Sequence, residues 1–303
     1  MTDERKKKLV NILKQTAKVG VSGLLLWWVI SKIDIKSTWE TIRNANNLLI
    51  VAAIFAYALS QIAAAHRLNM LFRTIPFHIS SIANIRLYWL GLFYNFFLPG
   101  GVGGDGYKVY YLHRHHNQSV KALTALVLAD RLNGMCVIII FLLIFSSFFL
   151  ESLPFPYHEF YFLAIPLVLL GYWIFLKNFK QCAIQAFWKV TLTSAISQGL
   201  QMCSATLILI SLAGTNCSFD SYLFLFFASS IASAIPMTMG GIGAREMTFL
   251  KGSQYLSTDD NIAIALSLLF YINSLLCALP GIVYAIRPSM IEKSDAINAP
   301  KVD

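Results

Sequence analysis

Charge is scarce in this chain. Only 13% of its 303 residues are Asp, Glu, Lys or Arg while 57% are hydrophobic, a balance that excludes an ordinary soluble domain. Cysteine is sparse too: Cys136, Cys182, Cys203, Cys217 and Cys277 are odd in number and widely spaced, which implies neither a disulfide framework nor a zinc site. There is no Walker-type phosphate loop, so ATP hydrolysis is not encoded. His113-Arg114-His115-His116 has no carboxylate or thiolate beside it and reads as a basic loop at lipid headgroups, not as a metal tract. No cofactor is expected. Nor is any loop long enough for a separate soluble domain, so residues 1–303 are read as one integral membrane domain.

What the sequence does have is apolar stretches of membrane length. They run over 19–33, 47–66, 82–98, 121–150, 159–176, 190–213, 219–236 and 262–286, most of them near the roughly 20 residues a spanning helix needs. This predicts an all-α polytopic membrane protein. The basic start, with Arg5, Lys6, Lys7 and Lys8, is followed by no small-residue cleavage pattern, so 19–33 is read as a retained helix. Residues 1–18 and 288–303 are expected as cytoplasmic tails. The excess of 24 Lys and Arg over 15 Asp and Glu fits the positive-inside bias and an anionic leaflet better than nucleic acid.

If all eight segments crossed, Lys108, Arg114 and Lys121 would lie outside, against that bias. A segment 82–98 that enters from the cytoplasm, breaks and returns puts Arg67, Arg73, Arg114, Lys121, Lys177, Lys180 and Lys189 inside. The expected topology is therefore about six full spans plus two re-entrant segments.

Glycine marks the breaks. Pro99-Gly100-Gly101-Val102-Gly103-Gly104-Asp105 and Gly240-Gly241-Ile242-Gly243-Ala244-Arg245-Glu246 each close an apolar run, and Gly100, Gly101 and Gly103 fall on Gly240, Gly241 and Gly243 at an offset of 140 residues. The same offset carries 19–36 onto 159–176 and 50–73 onto 190–213. With three crossings between the motifs, the two halves, about 19–150 and 159–286, are expected to be inverted copies. Broken helices then meet near the bilayer midplane, as in many transporters.

Ionisable residues inside apolar runs each cost on the order of 3 kcal/mol at the bilayer centre, so they are expected to face a polar interior. Asp130-Arg131 is one such place, either a structural ion pair or a ligand site. Neighbours on a helix diverge, so their partners are expected on other helices. Arg245 and Glu246 follow glycines that can present backbone N–H groups to an anion; the Arg245 fork suits a phosphate, with Glu246 steadying or releasing it. Asp105 is expected to bind a cationic group or to pair with Lys108, Arg131 or Arg245. His66-Arg67 reads as an interfacial anchor.

Asn95-Phe96-Phe97-Leu98 with the first glycine motif, Asp130-Arg131 with Gly134, and Pro236 with Gly240-Gly241-Ile242-Gly243-Ala244-Arg245-Glu246 together resemble the lysylphosphatidylglycerol synthase transmembrane region, a flippase-like family. The resemblance implies movement of a lipid, not the synthase chemistry of the fused cytosolic domain found in two-part members. Lys108 stands where it implies an arginine. The expectation is a flippase-like translocator of an anionic or polyprenyl-phosphate-linked lipid across a bacterial inner membrane, N-terminus cytoplasmic, without covalent chemistry. Its binding residues would be Gly100, Gly101, Gly103, Gly104, Asp105, Lys108, Asp130, Arg131, Gly240, Gly241, Gly243, Arg245 and Glu246. A lipid-modifying enzyme is a candidate partner. The alternative is a membrane glycosyltransferase or headgroup transferase using a polyprenyl-phosphate donor, with Asp105, Asp130 or Glu246 as base.

Overall fold

The computed structural model describes Trp27, Ser31 and residues 35–97, 103–152, 162–179, 181–215, 217–234 and 243–298. Among these all regular structure is helical: α1 (Ile35–Arg43), α2 (Asn47–Phe72), α3 (Ser81–Phe97), α4 (Gly103–His116), α5 (Val120–Ser146), α6 (Ala164–Phe179), α7 (Phe187–Ala213), α8 (Phe219–Ala234), α9 (Ala244–Tyr255), α10 (Asp260–Ala278), α11 (Gly281–Ile286) and α12 (Ser289–Asn298). Nearly all of the expected first segment lies outside the described residues. So do both motif tips, with Gly100, Gly101, Gly240 and Gly241.

Four stretches are long and apolar enough to cross a membrane: Asn47–Phe72, Val120–Phe149, Ile184–Ala213 and Asp260–Ile286. The sequence also dictates where two of them begin. Asn46 accepts the Leu48 N–H at 3.0 Å ahead of α2, and Asp259 accepts those of Asn261 and Ile262 at 2.7 and 3.2 Å ahead of α10, each satisfying donors the first helical turn leaves open. Pro280, which has no N–H to donate, separates α10 from α11.

The centre of the molecule is the seam between α2 and α7. Ser197, Ser204 and Ser211 recur every seven residues, two helical turns, and so share one face. Their hydroxyls donate to the carbonyls of Ser60, Ala53 and Asn46 at 2.9, 2.8 and 3.0 Å. Rising numbers on α7 meet falling numbers on α2, so the two helices run antiparallel. Small hydroxyl residues let the backbones approach closely where lipid offers no hydrophobic drive between helices.

Around this seam stand two helical hairpins that open at opposite ends. In the first, the Gly104 N–H of α4 donates to Asn95 Oδ1 of α3 at 2.9 Å, and the His116 ring at the far end of α4 lies 4.8 Å from Phe77, just before α3. In the second, Arg245 Nε of α9 is 3.4 Å from Ser233 Oγ of α8, and the Tyr222 hydroxyl near the start of α8 accepts the Asp259 N–H beyond α9 at 3.1 Å. Each hairpin has its own apolar core. One gathers Leu68, Phe72, Leu87, Leu112 and Leu126; the other gathers Ala53, Leu209, Phe226, Phe249 and Phe270.

The 140-residue offset can be compared with the helix bounds. Moved by 140, α2 becomes 187–212 against 187–213 for α7, and α4 becomes 243–256 against 244–255 for α9. Likewise α5 becomes 260–286, the span from the start of α10 to the end of α11. Arg73, Arg114, Lys121, Lys177, Lys189 and Arg287 all lie at or near helix termini at the end where the first hairpin opens. The segment read as a C-terminal tail contains α12, which docks there: Ser80 N–H donates to Asp295 at 2.7 Å, Arg86 donates to the Met290 carbonyl at 2.6 Å, and Ile291 is fully buried.

Candidate functional site

Asp130 and Arg131 lie at the start of the fourth turn of α5, side by side in sequence, and the helix sends them to different neighbours. Asp130 turns to α2, where Arg67 Nε and Nη2 hold its two carboxylate oxygens at 2.6 and 2.9 Å. The third guanidinium nitrogen donates to Ser194 Oγ of α7 at 2.8 Å. Ser194 in turn donates to Asn133 Oδ1, and Asn133 Nδ2 donates to Thr191 Oγ1 at 3.0 Å. Gly134 leaves the clearance this needs, since a Cβ there would come within 3.3 Å of Arg67 Nη1. Both members of the pair are buried, and every group named is satisfied.

The placement of Arg67 corrects the reading of His66-Arg67 as an interfacial anchor. His66 is exposed, whereas Arg67 is 5% exposed and links α2, α5 and α7. Its signal was in the sequence: Arg67 follows Ala53 and Ser60 at the seven-residue spacing of the α2–α7 seam.

Arg131 turns the other way, to α4. Its Nε donates to Asp105 Oδ2, while Lys108 Nζ holds Asp105 Oδ1 at 3.0 Å. Lys108 also sits 4.2 Å over the Tyr88 ring, a cation–π contact that offsets part of its desolvation. Asp105 lies in the first turn of α4, where the helix dipole favours a carboxylate. Gly104 beside it is required by close approach, because a Cβ at this position would collide with the Gly91 carbonyl of α3. Of the three partners expected for Asp105, the structure brings two, Lys108 and Arg131, to it.

Asp105 and Arg131 also form the polar end of a groove of about 510 Å³ between α4 and α5. Its walls are Gly106, Val109, Val120, Thr124, Val127 and Leu128. Asp105 and Lys108 are buried, but the Arg131 side chain is 38% exposed. The groove thus offers apolar length with a charge pair at one end.

The second hairpin differs in chemistry. Gly243, at φ +88°, adopts a left-handed conformation that side chains with a Cβ avoid, and its N–H donates to Glu246 Oε2 at 2.7 Å. Ser267 donates to Glu246 Oε1 at 3.1 Å. Glu246 was expected to steady Arg245, yet its oxygens are occupied in capping α9 and tying it to α10, a geometry fixed by its place three residues after the cap. Arg245 instead lies 5.0 Å over the Phe270 ring, and among the described residues no carboxylate forms an ion pair with it. No hydrogen bond or ion pair among the described residues joins Arg245 to Asp105, Lys108 or Arg131, so the expected charged site residues fall in three places: Asp105 and Lys108 of the first hairpin with Arg131 of α5, Asp130 with Arg67, and Arg245 and Glu246 at the second hairpin. Phe96 of α3 and Tyr271 of α10, with rings 5.6 Å apart, connect the hairpin regions.

Residues 15–281 match the family described as the lysylphosphatidylglycerol synthase TM region. The chain belongs to this family. A UPF0104 membrane protein of Pyrococcus horikoshii is 28% identical over 123 residues, 40% of this chain and 36% of that protein. The stretch shared with this relative is thus about a third of the relative's length. Family membership extends over both hairpins, the α2–α7 seam and the groove, all of which fall within the matched residues.

Proposed function

We propose that this chain moves a phosphate-bearing lipid, an anionic phospholipid or a polyprenyl-phosphate-linked lipid, between the leaflets of a bacterial inner membrane. The observation that carries the reading is the groove between α4 and α5, whose charged end at Asp105 and Arg131 matches a headgroup and whose apolar walls match a chain. Arg245 supports it as a second, opposed anion contact on the other hairpin.

The architecture fits inverted-repeat alternating access. Helices α2 and α7, equivalent under the 140-residue offset, cross each other antiparallel, and the equivalent hairpins open at opposite ends. In this reading the hairpins are re-entrant and the basic end, with α12, is cytoplasmic. The headgroup passes between the clusters while the chain lies along the apolar groove walls and in the lipid beside them, so no wide aqueous pore is required. The protein then acts without covalent chemistry, alone or beside an enzyme that modifies the same lipid.

Headgroup movement in proteoliposomes tests this, with fluorescent phosphatidylglycerol, an aminoacylated phosphatidylglycerol and a polyprenyl-phosphate sugar compared. Faster movement of one lipid, lost in Arg245→Ala and Arg131→Gln, is expected. Absence of movement for all three, with transfer of a sugar or aminoacyl group to an acceptor, would make the protein a transferase instead.

A further inference from the structure

The two buried carboxylates of α4 and α5 are held in contrasting ways. Asp130 is enclosed: both oxygens lie in the Arg67 fork, and the two side chains are 7% and 9% exposed. Asp105 is shared: Lys108 holds one oxygen at 3.0 Å, and Arg131, on the groove and far more exposed, holds the other. A carboxylate on an arginine at the end of an apolar groove occupies the place where a ligand's phosphate oxygen would make the same charge-assisted bond.

We infer that Asp105 is a built-in counter-anion that a phosphate-bearing amphiphile displaces from Arg131, so that the ligand enters the α4–α5 groove by ion exchange. This rests on the groove being the lipid site proposed above, and it adds how the ligand gains Arg131 and which ligands the site admits. Lys108 makes the exchange feasible. When Arg131 turns to the phosphate, Asp105 keeps Lys108, and neither the carboxylate nor the ammonium is left bare in a poorly solvated place. The Arg67–Asp130 pair is bidentate and sealed, with no second cation on its carboxylate among the described residues, and remains a scaffold. The ligand is defined by chemistry at both ends: a phosphate monoester or diester for Arg131, and an alkyl or isoprenyl chain for Val109, Val120, Val127 and Leu128. Inorganic phosphate has only the first of these.

Equilibrium binding of radiolabelled dioctanoyl phosphatidylglycerol to the full chain in neutral detergent tests the exchange, with octyl phosphate, inorganic phosphate and octyltrimethylammonium as competitors. Asp105→Asn removes the carboxylate that competes for Arg131 Nε, and we expect it to bind the probe about tenfold more tightly than the wild type. Octyl phosphate should displace the probe in both proteins, whereas equal concentrations of the other two should not. Unchanged or weaker binding by Asp105→Asn would overturn the exchange, and inorganic phosphate competing as well as octyl phosphate would overturn the amphiphile as ligand. If Asp105→Asn does not fold, Lys108→Gln reads the same exchange in reverse: Asp105, left with Arg131 alone, holds it harder, and the probe binds about tenfold more weakly. Unchanged or tighter binding there would equally overturn it. Binding is read without transport, so a protein that exchanges lipid but does not flip it would sink the translocator reading alone.

Discussion

Arg67 grips both carboxylate oxygens of Asp130, at 2.6 and 2.9 Å, across 63 residues of sequence. This pair joins the α2–α7 seam to α5, and it sets the direction in which the neighbouring Arg131 must point.

Breaking that pair should be costly. Arg67→Met leaves a buried carboxylate unpaired, and a loss of about 3–5 kcal/mol is expected. Thermal melting in detergent should show a large drop for Arg67→Met and for Asp130→Leu, and a substantial recovery in the double variant, which leaves no bare charge. A double variant no better than either single one would contradict the account.

Two glycines two residues apart, on different faces of α4, should behave differently. Gly104→Ala places a methyl group on the Gly91 carbonyl and should destabilise the first hairpin by about 1–3 kcal/mol, whereas Gly106→Ala meets only open space and should be neutral in melting. Equal effects would mean that α3 and α4 do not pack this closely.

The docking of α12 should weaken in acid. His116 lies 3.1 Å from Asp295, and its burial, with the charge of His115 adding to the effect, holds the imidazole below its usual value of 6.5 although Asp295 pulls the other way. A base depressed in the folded state takes its proton later than the same base in the unfolded chain. Its contribution is therefore intact above 6.5 and is lost as the pH falls below that value. Melting followed from pH 8 to pH 5 should show this decline, and His116→Gln should flatten it. A melting temperature that rises in acid in the wild type would show the Asp295 attraction to be dominant.

Membrane sidedness follows from the ends of the two hairpins. With native cysteines replaced, a cysteine at Gln118, at the basic end, should resist an impermeant maleimide added outside intact cells, and one at Ser152, at the other end, should react. Labelling of both from outside would defeat the proposed re-entrant topology.

Much of the helical layout was legible because apolar runs and cap residues are local signals. The expected run 190–213 lies within α7 and 47–66 lies within α2, which continues to Phe72 through Arg67 and Asn69, both enclosed by neighbours. The divergence of Asp130 and Arg131 was also foreseeable, since a helix turns about 100° per residue. The role of Arg67 was not read, because its place near the end of an apolar run suits a snorkelling arginine equally well, and only the seven-residue spacing from Ala53 and Ser60 marks it as part of the seam. Adjacency of Glu246 to Arg245 likewise did not reveal where its hydrogen bonds go: the start of α9 and Ser267 take its oxygens.

Sequence by itself therefore determined that this is a helical membrane protein, where its apolar helices lie, and which charged and glycine residues interrupt them, because hydropathy, helix period and backbone sterics act over a few residues. Tertiary structure alone decided that Asp130 belongs to Arg67, that Asp105 is shared between Lys108 and Arg131, and that Arg245 and Glu246 stand apart from both. Those choices depend on which helix faces which, and in a membrane that is set by close packing and by the need to satisfy each buried polar group, conditions met only when the whole chain is assembled.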